Sequence, residues 1–184
     1  MAQWRWFEHM LDQQQVNRLR LLENVPIFAG LTRRQLGKIL VKLYEKTYAA
    51  GETIFNEGDP GKALFIVLQG QVAITRLAGP GEEVLATLAE GAYFGELALI
   101  DDQPRFATAR AEKPSILLVL YKSEFDQLIE GHSRIAVRVM NNLLKTLVAY
   151  LRRAEAHPGS ESAIPRVRRA EKTTNIGTGK LARD

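Results

Sequence analysis

The chain has 184 residues, 46% of them hydrophobic, and 25 lysines and arginines against 21 acids leave a net charge of +4. That length buries one good core and is too short for two full domains, so one globular domain with appendages is expected. With no cysteine and three scattered histidines (His9, His132, His157), disulfides and thiolate catalysis are excluded, a metal cluster is disfavoured, and a reducing cytoplasm fits.

Trp4 to Leu22 holds good helix formers without Gly or Pro, and Phe7, Met10, Leu11, Leu19 and Leu22 partly keep a helical period, so an N-terminal helix is predicted. Its opening Trp4-Arg5-Trp6-Phe7 carries one basic residue and reads as a helix docking on its own domain more readily than as a membrane contact. No apolar run approaches the ~20 residues that span a bilayer. Arg5, Glu8 and Asp12 also stand where a signal peptide needs an apolar core, so a soluble, unexported chain is expected. Asn24-Val25-Pro26 breaks the helix, and Thr32 is placed to cap a second one running to about Leu43.

From Thr47 to Tyr121 the texture becomes short β-rich runs punctuated by Gly51, Gly58, Gly61, Gly70, Gly79, Gly81, Gly91 and Gly95, as in a small sandwich or jelly roll. Ala63–Gln69 and Gln71–Leu77 flank Gly70 as an expected hairpin, and Gly79-Pro80-Gly81 turns the chain into Glu83–Leu88. Ser115–Tyr121 is a continuous apolar run suited to a central strand. Between these lies the segment with the most chemistry, Phe94-Gly95-Glu96-Leu97-Ala98-Leu99 followed by Pro104-Arg105-Phe106-Ala107-Thr108. Gly95 lets backbone approach a ligand closely, and Glu96 to Leu99 can form a helical turn whose N–H groups favour an anion. Arg105 can close that anion with a planar fork. The competing reading of Arg105 is an internal salt bridge to Glu96, Asp101 or Asp102.

Ser123 with Asp126 opens a further helix, Gly131 ends it, and Ser133 starts a longer one reaching about Ala156. On that helix Ala136, Met140, Leu143, Leu147, Tyr150 and Ala154 alternate by four and three, while Ile135, Val139, Val148 and Leu151 form a second strip. Two strips ask for two partners, the barrel and a coiled-coil-like seam with a second copy built on Met140, Leu143 and Leu147. The alternative is one wide stripe covering the domain's own pocket. After His157 the period and apolar content vanish, which predicts disorder. Six bases (Arg166, Arg168, Arg169, Lys172, Lys180, Arg183) against three acids (Glu161, Glu171, Asp184) give this tail +3, leaving the folded part nearly neutral and without a nucleic-acid-binding face.

The Phe94–Thr108 run resembles the phosphate-binding cassette of cyclic nucleotide-binding domains, found in kinase regulatory subunits, nucleotide-gated channels and the catabolite-activator family. Ile27-Phe28-Ala29-Gly30-Leu31, Ala50–Asp59 and Leu64–Gly70 resemble the same family's barrel entry and early strands, so the likeness runs from Val25 to Ala154. It implies a mainly β fold, an eight-stranded β-roll (jelly roll) with N-terminal helices and a C-terminal helix pair, over residues 25–156. Residues 1–24 then form an added helix and 157–184 a basic tail. It further implies a ligand, cAMP or cGMP, held by Phe94, Gly95, Glu96, Leu97, Ala98, Arg105, Phe106 and Ala107, with Glu96 on the ribose 2′-hydroxyl and Arg105 on the phosphate. Phe106 departs from the small residue usual there, and its ring either stacks on the base or fills the pocket. The transcription-factor branch carries a helix-turn-helix domain after the long helix, and the roughly thirty residues in its place here cannot bury a three-helix core. With no Ser-His-acid constellation, P-loop or HExxH pattern, a non-catalytic regulatory module is expected, acting on its own dimer or on an unidentified protein partner. The alternative is a degenerate fold serving as a ligand-free scaffold.

Overall fold

The computed structural model describes residues 2–79 and 81–156; the tail expected to be disordered lies outside the described residues. Helix α1 (Ala2–Asn24) ends before Pro26, a single 3-10 turn follows (Pro26–Phe28), and α2 (Arg33–Leu40) begins where Thr32 was expected to cap it. The cap is reciprocal: the backbone N–H of Gln35 donates to Thr32 Oγ1 at 3.3 Å, and that of Thr32 donates to Gln35 Oε1 at 2.9 Å. The helix stops at Leu40 and not Leu43, because the chain is drawn at once into strand β1 (Tyr44–Tyr48), paired along its length with the last strand.

Seven more strands follow: β2 (Thr53–Phe55), β3 (Ala63–Gln69), β4 (Gln71–Ala78), β5 (Gly81–Ala89), β6 (Tyr93–Phe94), β7 (Thr108–Ala111) and β8 (Ser115–Tyr121). They form two antiparallel four-stranded sheets ordered β1-β8-β3-β6 and β2-β7-β4-β5, the expected eight-stranded roll. The hairpin expected around Gly70 is not one, since β3 and β4 belong to different sheets. Gly70 is instead a corner with φ +97°, where an added Cβ would sit 2.3 Å from Ser115 Oγ. Only a residue without a side chain turns there. The hairpin is β4–β5, paired from Gln71↔Ala89 to Ala78↔Gly81 with a one-residue register shift between Ile74 and Thr75.

Strands β3 and β8 explain their own unbroken hydrophobicity, because alternate side chains enter different cores. Leu64, Ile66, Leu118 and Leu120 pack against Leu22, Phe28, Phe125, Leu128, Val139 and Leu143 of the helices. Phe65, Val67, Leu117 and Val119 pack inside the roll with Val72, Ile74 and Ala109.

Helix α3 spans Lys122–Gly131 and α4 spans Ser133–Ala156. α3 starts one residue before the expected Ser123, and its N-cap is Tyr121 without a side-chain bond, since β8 runs straight into the helix. The seam expected on Met140, Leu143 and Leu147 is also corrected. Leu143 is 1% exposed within the domain's own core and Leu147 is half-buried, leaving only Met140 at the surface. The cause is polar as much as apolar: Asn142 Nδ2 donates to the carbonyls of Ile27 (3.1 Å) and Ala29 (2.9 Å), which turns this arc of the helix inward. The outward strip is Val137, Leu144, Val148 and Leu151, 61, 57, 45 and 65% exposed. Among the described residues no helix is long and apolar enough to cross a membrane.

Candidate functional site

The chain leaves β6 through Gly95, whose φ of +74° is the left-handed region, and then makes a 3-10 turn over Glu96–Leu99, as the helical-turn expectation required. A Cβ on Gly95 would meet Arg105 Nη1 at 2.6 Å and the Ala63 carbonyl oxygen at 3.1 Å, so both conformation and space exclude a side chain here. Arg105 follows Pro104, which bridges Pro60, and its own backbone is tied to the β2–β3 loop: its N–H donates to Asp59 O and its carbonyl accepts from Gly58 N–H, each at 2.8 Å. Both ends of the cassette are thereby anchored to the roll.

The Arg105 guanidinium is buried. It donates to the carbonyls of Ala63 (2.7 Å) and Gly95 (3.2 Å) and lies 4.2 Å from the centre of the Phe55 ring. Among the described residues it makes no ion pair with Glu96, Asp101 or Asp102, so the internal salt bridge is not formed; backbone oxygens and aromatic faces satisfy the cation instead. Burial lowers its proton affinity, an effect opposed by the charges of Glu96 and Asp59.

Glu96 is 6% exposed, and its Oε1 accepts a 2.6 Å hydrogen bond from the phenol of Tyr150 on α4. Tyr93, next to the turn, is tied to the same helix: its hydroxyl meets Thr146 Oγ1 at 3.1 Å, and Thr146 donates back to Asn142 O at 3.1 Å. Burial holds the Glu96 carboxyl above the ordinary glutamate range, opposed by the Tyr150 hydrogen bond, its own backbone N–H and the Arg105 charge. A raised folded-state pKa means that the fold binds this proton more readily than the unfolded chain. The associated stability is therefore present at acid pH and is lost as pH rises through the raised value. Glu96→Gln, which keeps an oxygen for Tyr150, should accordingly melt higher than wild type at neutral pH, with the gap closing as pH falls into the ordinary carboxylate range. Thermal melts across pH 4 to 7 measure this, and a gap constant over that window would contradict it.

All eight residues singled out in the sequence line one cavity of about 390 Å³, together with Phe55, Gly61, Tyr93, Gln103 and Tyr150. Such a volume suits a small organic ligand. Phe106 lies at its rim, 51% exposed, and does not fill it. Sequence reasoning missed the part played by Tyr150, having placed it only in an apolar strip; the signal was a hydroxyl recurring at a core-facing position. Phe55 was missed because its contact with Arg105 joins residues 50 positions apart in the sequence.

The model of the cyclic nucleotide-binding domain matches residues 45–132. Over 169 residues, 89% of this chain, the sequence is 31% identical to the cAMP-dependent protein kinase regulatory subunit of Mycosarcoma maydis, of which it covers 30%. Over 135 residues, 73% of the chain, it is 34% identical to the cyclic AMP receptor protein of Thermus thermophilus, of which it covers 61%. The chain thus spans less than two thirds of either relative. The solved N-terminal domain of a transcriptional regulator from Streptomyces coelicolor is similar at a TM-score of 0.66 and 32% identity, over 69% of this chain and 91% of that one. Sequence, roll topology and the anchored glycine-to-arginine segment agree, and the chain belongs to the cyclic nucleotide-binding domain family.

Proposed function

We propose that residues 25–156 form a non-catalytic regulatory module that binds a cyclic nucleotide, cAMP or cGMP, in the cavity and relays the event through α3 and α4 to a protein partner or a second copy. Residues 1–24 and 157–184 are appendages to it. The observation that carries this reading is that a buried guanidinium and a buried carboxylate line the same open cavity. Arg105 spends two N–H groups on carbonyls and keeps others for a cyclic phosphate. Glu96 is the acceptor for a ribose hydroxyl, and Phe106 at the rim offers a face to the base. The relay follows from Tyr150, because a hydroxyl arriving at Glu96 meets an oxygen already engaged by α4. A scaffold that had lost its ligand is the second reading, and a cavity that the Phe106 ring does not fill speaks against it.

Calorimetric titration of the full chain with cAMP and with cGMP tests the proposal. Saturable one-site heat with at least one of them is expected, together with a stabilisation of about 2.7 kcal/mol at ligand one hundredfold above Kd. No heat and no change in melting at about 1 mM of either nucleotide, a concentration that would reveal even a Kd near that value, overturns it in favour of the scaffold.

A further inference from the structure

The outward strip of α4 is bounded unequally. On one side lie Leu143, Leu147 and the domain itself; on the other, each of three strip residues is followed by a cation, Arg138 after Val137, Lys145 after Leu144 and Arg152 after Leu151. Arg134, one turn before Arg138, extends the row, so four basic side chains form a ridge parallel to an exposed apolar seam. None of the four makes an ion pair among the described residues. Residues 133–154 contain no Asp or Glu that could neutralise them. The face is also concave: a cleft of about 490 Å³ lies between Gly30, Gln35, Arg134 and Arg138, and one of about 670 Å³ runs along Leu144, Lys145, Val148 and Arg152.

We infer that this face docks an acidic amphipathic helix of another protein, with apolar side chains on Val137, Leu144, Val148 and Leu151 and carboxylates along the ridge. Charge complementarity selects that occupant. A second copy seated by two-fold symmetry gathers eight cations around one seam against a single carboxylate, Glu155, from each α4. A bilayer is matched by cations on both flanks of an apolar face and by aromatic side chains at its edge, whereas this strip has cations on one flank and no aromatic residue in it. The proposal stands apart from nucleotide binding and is tested without nucleotide.

The probe is a labelled synthetic helix of about 21 residues, long enough to follow the strip at 1.5 Å per residue, with leucines at the strip's spacing and glutamates on one flank. A second peptide carries lysines in place of the glutamates. Fluorescence anisotropy with the full chain should show the acidic peptide binding at least tenfold tighter, with the preference shrinking between about 50 and 500 mM salt. In Arg138→Glu/Lys145→Glu protein the order should invert, while melting stays at the wild-type value because both side chains are on the surface. The inversion separates a real docking face from general stickiness. Equal or absent binding of the two peptides overturns the inference. So does wild-type sedimentation as a dimer that Leu144→Glu dissociates, which gives the face to a second copy. Tighter capture by phosphatidylcholine–phosphatidylserine vesicles, at about two to one, than by the acidic peptide overturns it in favour of a membrane.

Discussion

Leu143→Glu should abolish the folded helical half of the molecule, whereas Leu144→Glu, one residue further along the same helix, should leave melting nearly unchanged. Leu143 is 1% exposed and touches the core that joins β3 and β8 to the helices; Leu144 is 57% exposed. Truncating a buried leucine to alanine costs about 2–5 kcal/mol, from lost transfer energy plus the cavity left behind. A carboxylate at that position adds the cost of an unpaired buried charge, and together these approach the whole stability of about 5–15 kcal/mol available to a domain. Urea denaturation followed by circular dichroism distinguishes the two variants. A Leu143→Glu protein with a wild-type midpoint would mean that this arc of α4 is not packed on the domain.

Arg105→Ala should weaken cyclic nucleotide binding by about 1.5–3 kcal/mol or more, roughly ten- to 150-fold, the scale of a hydrogen bond to a charged group. The loss is larger than exposure alone would suggest, because Arg105 also holds the cassette together. Its removal leaves the Ala63 and Gly95 carbonyls without these donors and takes the cation from the Phe55 face. Arg105→Lys separates the two roles, since lysine restores the charge but not the planar fork. Binding should recover only partly in the lysine protein. Nucleotide affinity in Arg105→Ala equal to wild type would remove Arg105 from the phosphate contact, while a lower melting point alone would leave it a purely structural role.

The cassette was readable because its chemistry is local in sequence: a glycine, an acid and an arginine within eleven positions needed only the roll to hold them in place. Tyr150 was not, because its partner Glu96 is 54 residues away and a tyrosine in an apolar strip looks like core. Gly70 misled for a related reason. Two β-runs joined by one glycine pair as a hairpin by default, and nothing in either run tells that the chain there leaves one sheet for the other. Strand β7, Thr108–Ala111, carries mostly small side chains and gives little β signal. On α4 the expected second strip proved to mix two faces: Ile135 and Val139 are buried with Leu143, whereas Val148 and Leu151 lie outward with Val137 and Leu144, which neither strip contained; Asn142, bonded to two carbonyls before α2, decided which arc turns inward. The folded half of that decision is polar, which hydrophobic patterning does not weigh.

The shared wall between the two cores bears on how such a chain can change over generations. Successive side chains of β3 and β8 answer to separate neighbours, those on one face to the helices and those on the other to the interior of the roll. A substitution among the helix-facing residues is repaired by the helices, and one among the inward residues by the roll, because packing defects are felt by immediate contacts and little beyond. Helical attachments can therefore be lengthened, traded or redirected toward new outputs while the chamber beneath them keeps its shape. Receptor and response are free to diversify at different speeds.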